Sequence, residues 1–437
     1  MRPDRDETVA RDARHVWHPW SPAVPVVPRV LLDRGDGYHV WDIDGRRYID
    51  GISSALNVTC GHRHPVLRQA IADQLDRLCH VDLSVSGHEP AALLAERIAG
   101  LMPDGLDRTL FVNSGSEAAE AAVRIATDYW RHVGRPRRRI ITFARGYHGT
   151  TVLGQSLSGL PHTAHPMRSP VPVSRVQLPC DPRDLRGIGG LADLLDEFDR
   201  ALWAGTGPTD VAAIMVEPFL NVGGGVVLPP RLLRGLAERC TETGALLVLD
   251  EVFTGYGRTG RMFGFDHDGV RPDIVMTSKG LCGGYLPLGA VTVTQQVYDA
   301  FRHSPGGGML HYGHTTSGHA VACSAALAAL SVLERDGLVA RAERLGRRLI
   351  DLLAALGEAP QVADVRGLGL VVVVELDTRE AADRVSAGCQ ARGLLVRQQM
   401  TSVMVVPPLI VDEAGIDEIA EALTGSVVAA AEIVVGT

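Results

Sequence analysis

The sequence predicts an α/β protein: a large domain on a mostly parallel sheet flanked by helices, joined to a small α+β domain. Three observations carry this. Its 437 residues exceed what one compact core encloses. Between about residues 109 and 277, short β-branched or aliphatic stretches alternate with helical ones, the rhythm of parallel strands with crossover helices. Beyond about residue 361 that rhythm gives way to close-set strands with intervening helices.

Along the chain, residues 38–49 alternate in polarity around an Asp-Gly turn and read as a β-hairpin. Helical spacing follows Pro65 over 66–78 and resumes over 91–98. Strands are expected at 109–112, 139–143, 212–216, 245–249 and 274–277, with helices such as 118–130 and 231–243 between them. The stretch 318–355 reads as two helices, 320–333 and 339–353. Strands at 361–365 and 370–376, a helix at 379–392, strands at 394–396 and 403–406 and a closing helix complete the chain. The expected division is 1–65 as an N-terminal segment packing with the small domain, 66–325 as the large domain, and 326–437 as the small one. The first segment is too short to fold alone.

Composition narrows the function. A net charge of −8 and no basic run longer than the Arg135–Arg139 patch argue against nucleic acid or an anionic membrane as partner. The longest apolar run, beginning at Leu368, falls far short of a membrane span. Seven cysteines, at 60, 79, 180, 240, 282, 323 and 389, form no CxxC pair, as expected of reduced thiols. The N-terminus is charged and lacks the apolar core of a signal peptide. A cytoplasmic enzyme acting on small molecules is the expectation.

Of 43 basic residues one is lysine, Lys279, directly after an apolar strand. Arginine cannot replace lysine where a deprotonated amine is needed. Coding bias explains the scarcity of lysine, but not the setting of the survivor, which points to covalent chemistry through a Schiff base. Upstream, a strand ends in Asp250-Glu251, where open α/β sheets place their ligands. There a carboxylate could keep a ring nitrogen protonated, as the electron-sink chemistry of pyridoxal phosphate requires; capping of the next turn is the competing reading. Asn113-Ser-Gly-Ser-Glu117 opens a helix, so Gly115 and Ser116 could cradle a phosphate, although Ser114 or Ser116 could equally be a helix cap. Tyr147, in Gly146-Tyr-His-Gly-Thr, could stack on a flat ring. His311-Tyr-Gly-His-Thr-Thr-Ser-Gly offers hydroxyls for a further phosphate oxygen, or is a plain loop before a helix.

These segments, in this order, resemble the class III (ω-type) aminotransferases of the fold-type I pyridoxal-phosphate enzymes. The likeness runs from the Trp-Asp-Ile-Asp-Gly hairpin and Gly61-His-Arg-His-Pro to Val406-Pro-Pro-Leu. Its most specific part is Leu249-Asp-Glu-Val-Phe-Thr-Gly-Tyr-Gly-Arg-Thr-Gly260 together with Ser278-Lys279-Gly280. The resemblance implies Lys279 as the internal aldimine and Asp250 as partner of the pyridine nitrogen. It implies Gly115 and Ser116 at the phosphate, and Tyr147 and Val252 on the two ring faces. It implies a homodimer with the active site at the subunit interface, in which Thr315 reaches the neighbouring subunit's phosphate. Arg397 matches an arginine that binds a substrate carboxylate, and Trp20, Gly313 and His314 are further candidates for contact with the amine and carbonyl substrates. Racemases and aminomutases share the scaffold and the cofactor residues.

The sequence departs from relatives in two ways. Members that use glutamate or 2-oxoglutarate often carry Gln and Glu where this chain has Phe253 and Val222, so Arg397 loses an ion-pair gate. Val16-Trp-His-Pro-Trp20 and Asp50-Gly-Ile-Ser-Ser resemble the biotin-pathway branch that aminates 7-keto-8-aminopelargonate. That branch has tryptophans at Ala55-Leu56 and an aspartate at Thr150.

Overall fold

A computed structural model describes residues 5–22, 30–179, 181–185, 187–304 and 308–435; Cys180 lies outside them. In chain order the strands begin with a three-stranded antiparallel sheet, β1 (Leu32–Asp36), β2 (His39–Asp42) and β3 (Arg47–Ile49). Then come β4 (Leu106–Val112), β5 (Arg139–Phe143), β6 (Val173–Val176), β7 (Val211–Val216) and a short hairpin of β8 (Phe219–Leu220) and β9 (Val226–Val227). These are followed by β10 (Leu246–Asp250), β11 (Ile274–Thr277) and β12 (Gly289–Thr294), and finally by β13 (Val362–Gly367), β14 (Val372–Leu376), β15 (Arg397–Gln399) and β16 (Ser402–Val405).

The central sheet has seven strands in the order β4-β12-β11-β10-β7-β5-β6. β11, β10, β7, β5 and β6 pair in parallel, while β12 is antiparallel to both its neighbours. Every residue of β5, β7, β10, β11 and β12 is buried. That two-sided burial is why these strands read as continuous apolar runs. Two separate apolar clusters pack against the central strands, one through Ile141, Ile214, Leu247 and Val275, the other through Ile140, Met215, Val248 and Met276. Neighbouring residues in one strand thus fall into different clusters, as the alternation of strand side chains requires.

The second sheet runs β13-β14-β16-β15, antiparallel throughout. The unbroken helix Ala320–Arg335 lies between the two sheets in the chain. Where a strand was expected at 394–396, Leu394 instead bridges to Ile49, and Leu395 N–H donates to the Ile49 carbonyl at 3.0 Å. This apolar run docks on the N-terminal segment, and the strand proper starts at Arg397. The sequence reading also lacked β6, β12 and the helices Gly187–Trp203 and Gln295–Arg302. β12 is built from Gly, Ala, Val and Thr, a composition without the large aliphatic residues that mark its neighbours. No helix among the described residues is long and apolar enough to cross a membrane, and the six described cysteines are free thiols.

Arg258 locks three parts of the chain together. It is fully buried and donates to the carbonyls of Pro407 (2.7 Å) and Leu370 (3.3 Å) and to Ser53 Oγ (3.2 Å). Burial pulls its pKa down to about 9, against the opposing pull of Asp50. Exchange for methionine, which matches the stem but not the donors, leaves those acceptors buried and unpaired. Arg258→Met is therefore expected to destabilise the protein by about 3 kcal/mol, read as a lower thermal midpoint.

Candidate active site

The carboxyl ends of parallel strands gather polar groups that the strands themselves exclude. Asp250 ends β10, buried at 5% exposure, and Lys279 lies two residues beyond the end of β11. Between them Ser278 fixes the turn by donating to the Leu288 carbonyl at 2.7 Å. Lys279 itself has φ 34°, a left-handed backbone that is costly for a side chain with a Cβ. Burial lowers the pKa of its amine, and the charge of Arg397 adds to this, against the opposing pull of Asp250 and Glu217. The amine is thus moved toward the neutral, nucleophilic form.

Asp250 is held from two sides. Its Oδ2 lies 2.7 Å from His148 Nδ1, and its Oδ1 accepts from Val252 N–H at 3.1 Å. His148 has no exposed side-chain surface; its other ring nitrogen lies 3.0 Å from Thr142 Oγ1. Burial disfavours the charged imidazole, but the hydrogen bond and charge of Asp250 outweigh it, and the net pKa is raised. Glu217, directly after β7, is also buried and accepts from Tyr147 N–H at 2.9 Å. Burial drives its pKa up to about 7, despite the lowering influence of His148. His148, Glu217 and Asn221 were not singled out in the sequence. For Glu217 a signal was present, a carboxylate at the end of a buried strand, the same signal that marked Asp250.

The helix Gly115–His132 begins beside this cluster. Ser114 caps it, accepting from Glu117 N–H at 3.2 Å, while Glu117 accepts from Asn113 N–H at 2.7 Å. The capping reading is therefore right for Ser114, which leaves the first-turn amides of Gly115 and Ser116 without intrahelical acceptors. Two glycines keep the cradle open. A Cβ on Gly115 would sit 2.8 Å from Val252 Cγ1, and one on Gly149, at φ +96°, would run into the Ser116 hydroxyl.

A cavity of about 330 Å³ collects these groups. Gly115, Ser116, Tyr147, Asp250, Val252, Lys279, Arg397 and Trp20 all line it, as do Ala55, Val222 and Phe253. Trp20 is mostly exposed and stands edge-on to Tyr147, ring centroids 6.4 Å apart. Lys279 Nζ lies 5.8 Å from the Phe253 ring centre. Thr315, Gly313 and His314 do not line the cavity of their own chain. All three are exposed; the Thr315 carbonyl meets His80 Nε2 at 2.7 Å and His314 lies 3.6 Å from Glu117.

The donor set fits pyridoxal phosphate: backbone amides at a helix start for a dianion, a buried carboxylate for a pyridinium N–H, and an amine for the aldehyde. Comparison with known proteins agrees. Residues 21–427 match the family Aminotransferase class-III. The adenosylmethionine-8-amino-7-oxononanoate aminotransferase of Nitratidesulfovibrio vulgaris is 36% identical across 96% of this chain and 81% of its own. A thermostable (S)-enantioselective ω-transaminase from Thermomicrobium roseum superposes with TM-score 0.92 at 32% identity, covering 98% of this chain and 99% of that one. An amine transaminase from an uncultivated Pseudomonas species, solved with pyridoxal phosphate bound, gives 0.90 at 32% identity over 95% and 99%. With this cavity geometry and these matches together, the chain belongs to the class III aminotransferases, the pyridoxal-phosphate enzymes that move an amino group from an amine donor to a carbonyl acceptor.

Proposed function

We propose that this enzyme takes the amino group of a small amine with an uncharged arm and delivers it to an oxo acid. The observation that supports this is Arg397. Arg397 lines the cavity alongside the uncharged Ala55, Val222 and Phe253, and pairs with no carboxylate among the described residues. Burial lowers its pKa, so a carboxylate arriving from the substrate would be its natural counter-ion. Without the glutamate gate, the cavity is free to take an uncharged side chain when the amine enters. The biotin-pathway reading fits less well: Ala55 lines the cavity where that branch has tryptophan, and Thr150 is exposed where it has aspartate.

Pyridoxal phosphate, held by Gly115 and Ser116 at the phosphate, Asp250 at the ring nitrogen and Tyr147 and Val252 at the ring faces, would supply an electron sink for the substrate carbon. Lys279 Nζ, kept toward its neutral form, would accept the proton from that carbon and return it. Asp250, backed by His148, would pair with the pyridine nitrogen. Tyr147 and Trp20, in edge contact beside the cavity, would help limit water. We further propose a homodimer, in which Thr315, exposed in its own subunit, completes the phosphate site of the other.

A panel of amines with pyruvate and 2-oxoglutarate tests this reading. Amines with an uncharged arm should yield ketone or aldehyde only when an oxo acid is added; racemisation without acceptor would point to an isomerase instead. Lys279→Ala should lose the cofactor absorbance band near neutral pH and abolish turnover. Arg397→Ala should raise KM for pyruvate about tenfold or more and change KM for an apolar amine little. Glu217 gives a pH signature. Its folded pKa of about 7 exceeds the ordinary carboxyl value of 4.5, so the native state holds a proton that the unfolded state releases, and stability falls as pH rises between the two. Glu217→Gln, which keeps an acceptor for Tyr147 N–H, should remove that loss. Its thermal midpoint should match wild type near pH 4.5 and exceed it by a few degrees at pH 8.

A further inference from the structure

Asn221 lines the cavity and is 2% exposed, yet its side-chain carbonyl oxygen meets no donor. Its turn cannot shift easily to relieve this. The Asn221 backbone carbonyl accepts from Gly225 N–H at 3.0 Å and Gly224 N–H at 3.3 Å. Arg366 donates to the Gly224 and Gly225 carbonyls at 2.6 and 2.7 Å, and Ser402 Oγ adds a third bond to Gly224 at 3.1 Å. Arg366 is itself anchored by Asp364 and Glu375. The backbone of the turn is therefore clamped to β13, β14 and β16, and the amide is kept where it lies.

The buried carboxylates of the cavity are already engaged: Asp250 serves His148 and Val252 N–H, and Glu217 serves Tyr147 N–H. The Arg397 cation suits a carboxylate, and the buried Asn221 carbonyl oxygen suits a donor. We infer that Asn221 is a specificity-determining residue that accepts a hydrogen bond from a neutral O–H or N–H on the non-reacting arm of the substrate. This rests on the transaminase reading above and sharpens it, because a buried acceptor left unpaired by an apolar arm discriminates more strongly than lost contact area does.

The test uses a pair of amines that differ by one isosteric exchange, 2-amino-1-propanol and 2-aminobutane, with pyruvate as acceptor and the cofactor-loaded enzyme. Wild type should show kcat/KM about tenfold or more higher for the hydroxyl-bearing amine. Asn221→Leu should reverse this, lowering the value for 2-amino-1-propanol and raising it for 2-aminobutane. Asn221→Ser, which keeps an acceptor in less volume, should retain a preference of the original sign. A readout independent of turnover is the thermal midpoint of the cofactor-free protein. It should rise in Asn221→Leu, since an unpaired buried amide is replaced by an apolar group of similar volume. A fall in that midpoint would mean the amide is already satisfied in the free protein and would overturn the inference. So would a substrate ratio that none of the variants moves, while transamination itself stands. Failure of both amines to react would strike at the transaminase reading and remove the inference with it, a result distinct from an unmoved ratio.

Discussion

A buried carboxylate needs a partner, and the contact between Asp250 and His148 is the constraint on which this site is built. β10 delivers Asp250 into a region with little water, at the end of five consecutive buried residues. His148 is that partner, itself locked by Thr142 and by the bond from its backbone N–H to Ser158 Oγ at 2.9 Å. Because β5 and β10 flank β7, the loop after one strand and the end of another meet above a third. That third strand brings Glu217 to the same place, so three ends of the sheet supply a connected set of titratable groups around one amine.

The small sheet matters to the chemistry through its attachments. Arg258 fastens the N-terminal segment at Ser53 to the stretches around Leu370 and Pro407, and Arg366 fastens the turn after Glu217 to the small sheet. Arg397 begins β15 of that sheet. The cation expected to meet a carboxylate and the turn that lines the same cavity are therefore set by one hydrogen-bonded body. Strain accompanies this: Ser53, Ser54 and Leu56 all have positive φ around Ala55, and buried Asp50 holds the loop by accepting from Ser54 N–H at 2.8 Å and from its hydroxyl at 3.0 Å. Three non-glycine residues in that conformation persist only where the surroundings over-determine them.

Much of this was legible in the residues alone. Strands of the parallel core declared themselves because two-sided burial forces unbroken aliphatic runs, and 139–143 and 274–277 match their observed bounds. Lys279, Asp250 and the 113–117 loop stood out because each is a polar break at the end of such a run. What escaped notice was set by long-range pairing. β12 carries small residues and becomes a strand by lying between β11 and β4; its own pattern is weak. The run at 394–396 is apolar enough for a strand but finds its partner at Ile49, far away in the chain. His148 was in view beside Tyr147, yet nothing local tells that its ring turns to a carboxylate 102 positions on. Asn221 has no sequence signature at all, because an unmet hydrogen bond is visible only once its neighbours are known.

Lys279 is also the one side-chain amine in the chain, and it stands half-buried inside the cavity. Acylating reagents that decorate most proteins at dozens of places would find among these side chains only this nitrogen. The same scarcity makes the fraction of chains acylated at this position a direct gauge of how much of a preparation lacks its vitamin.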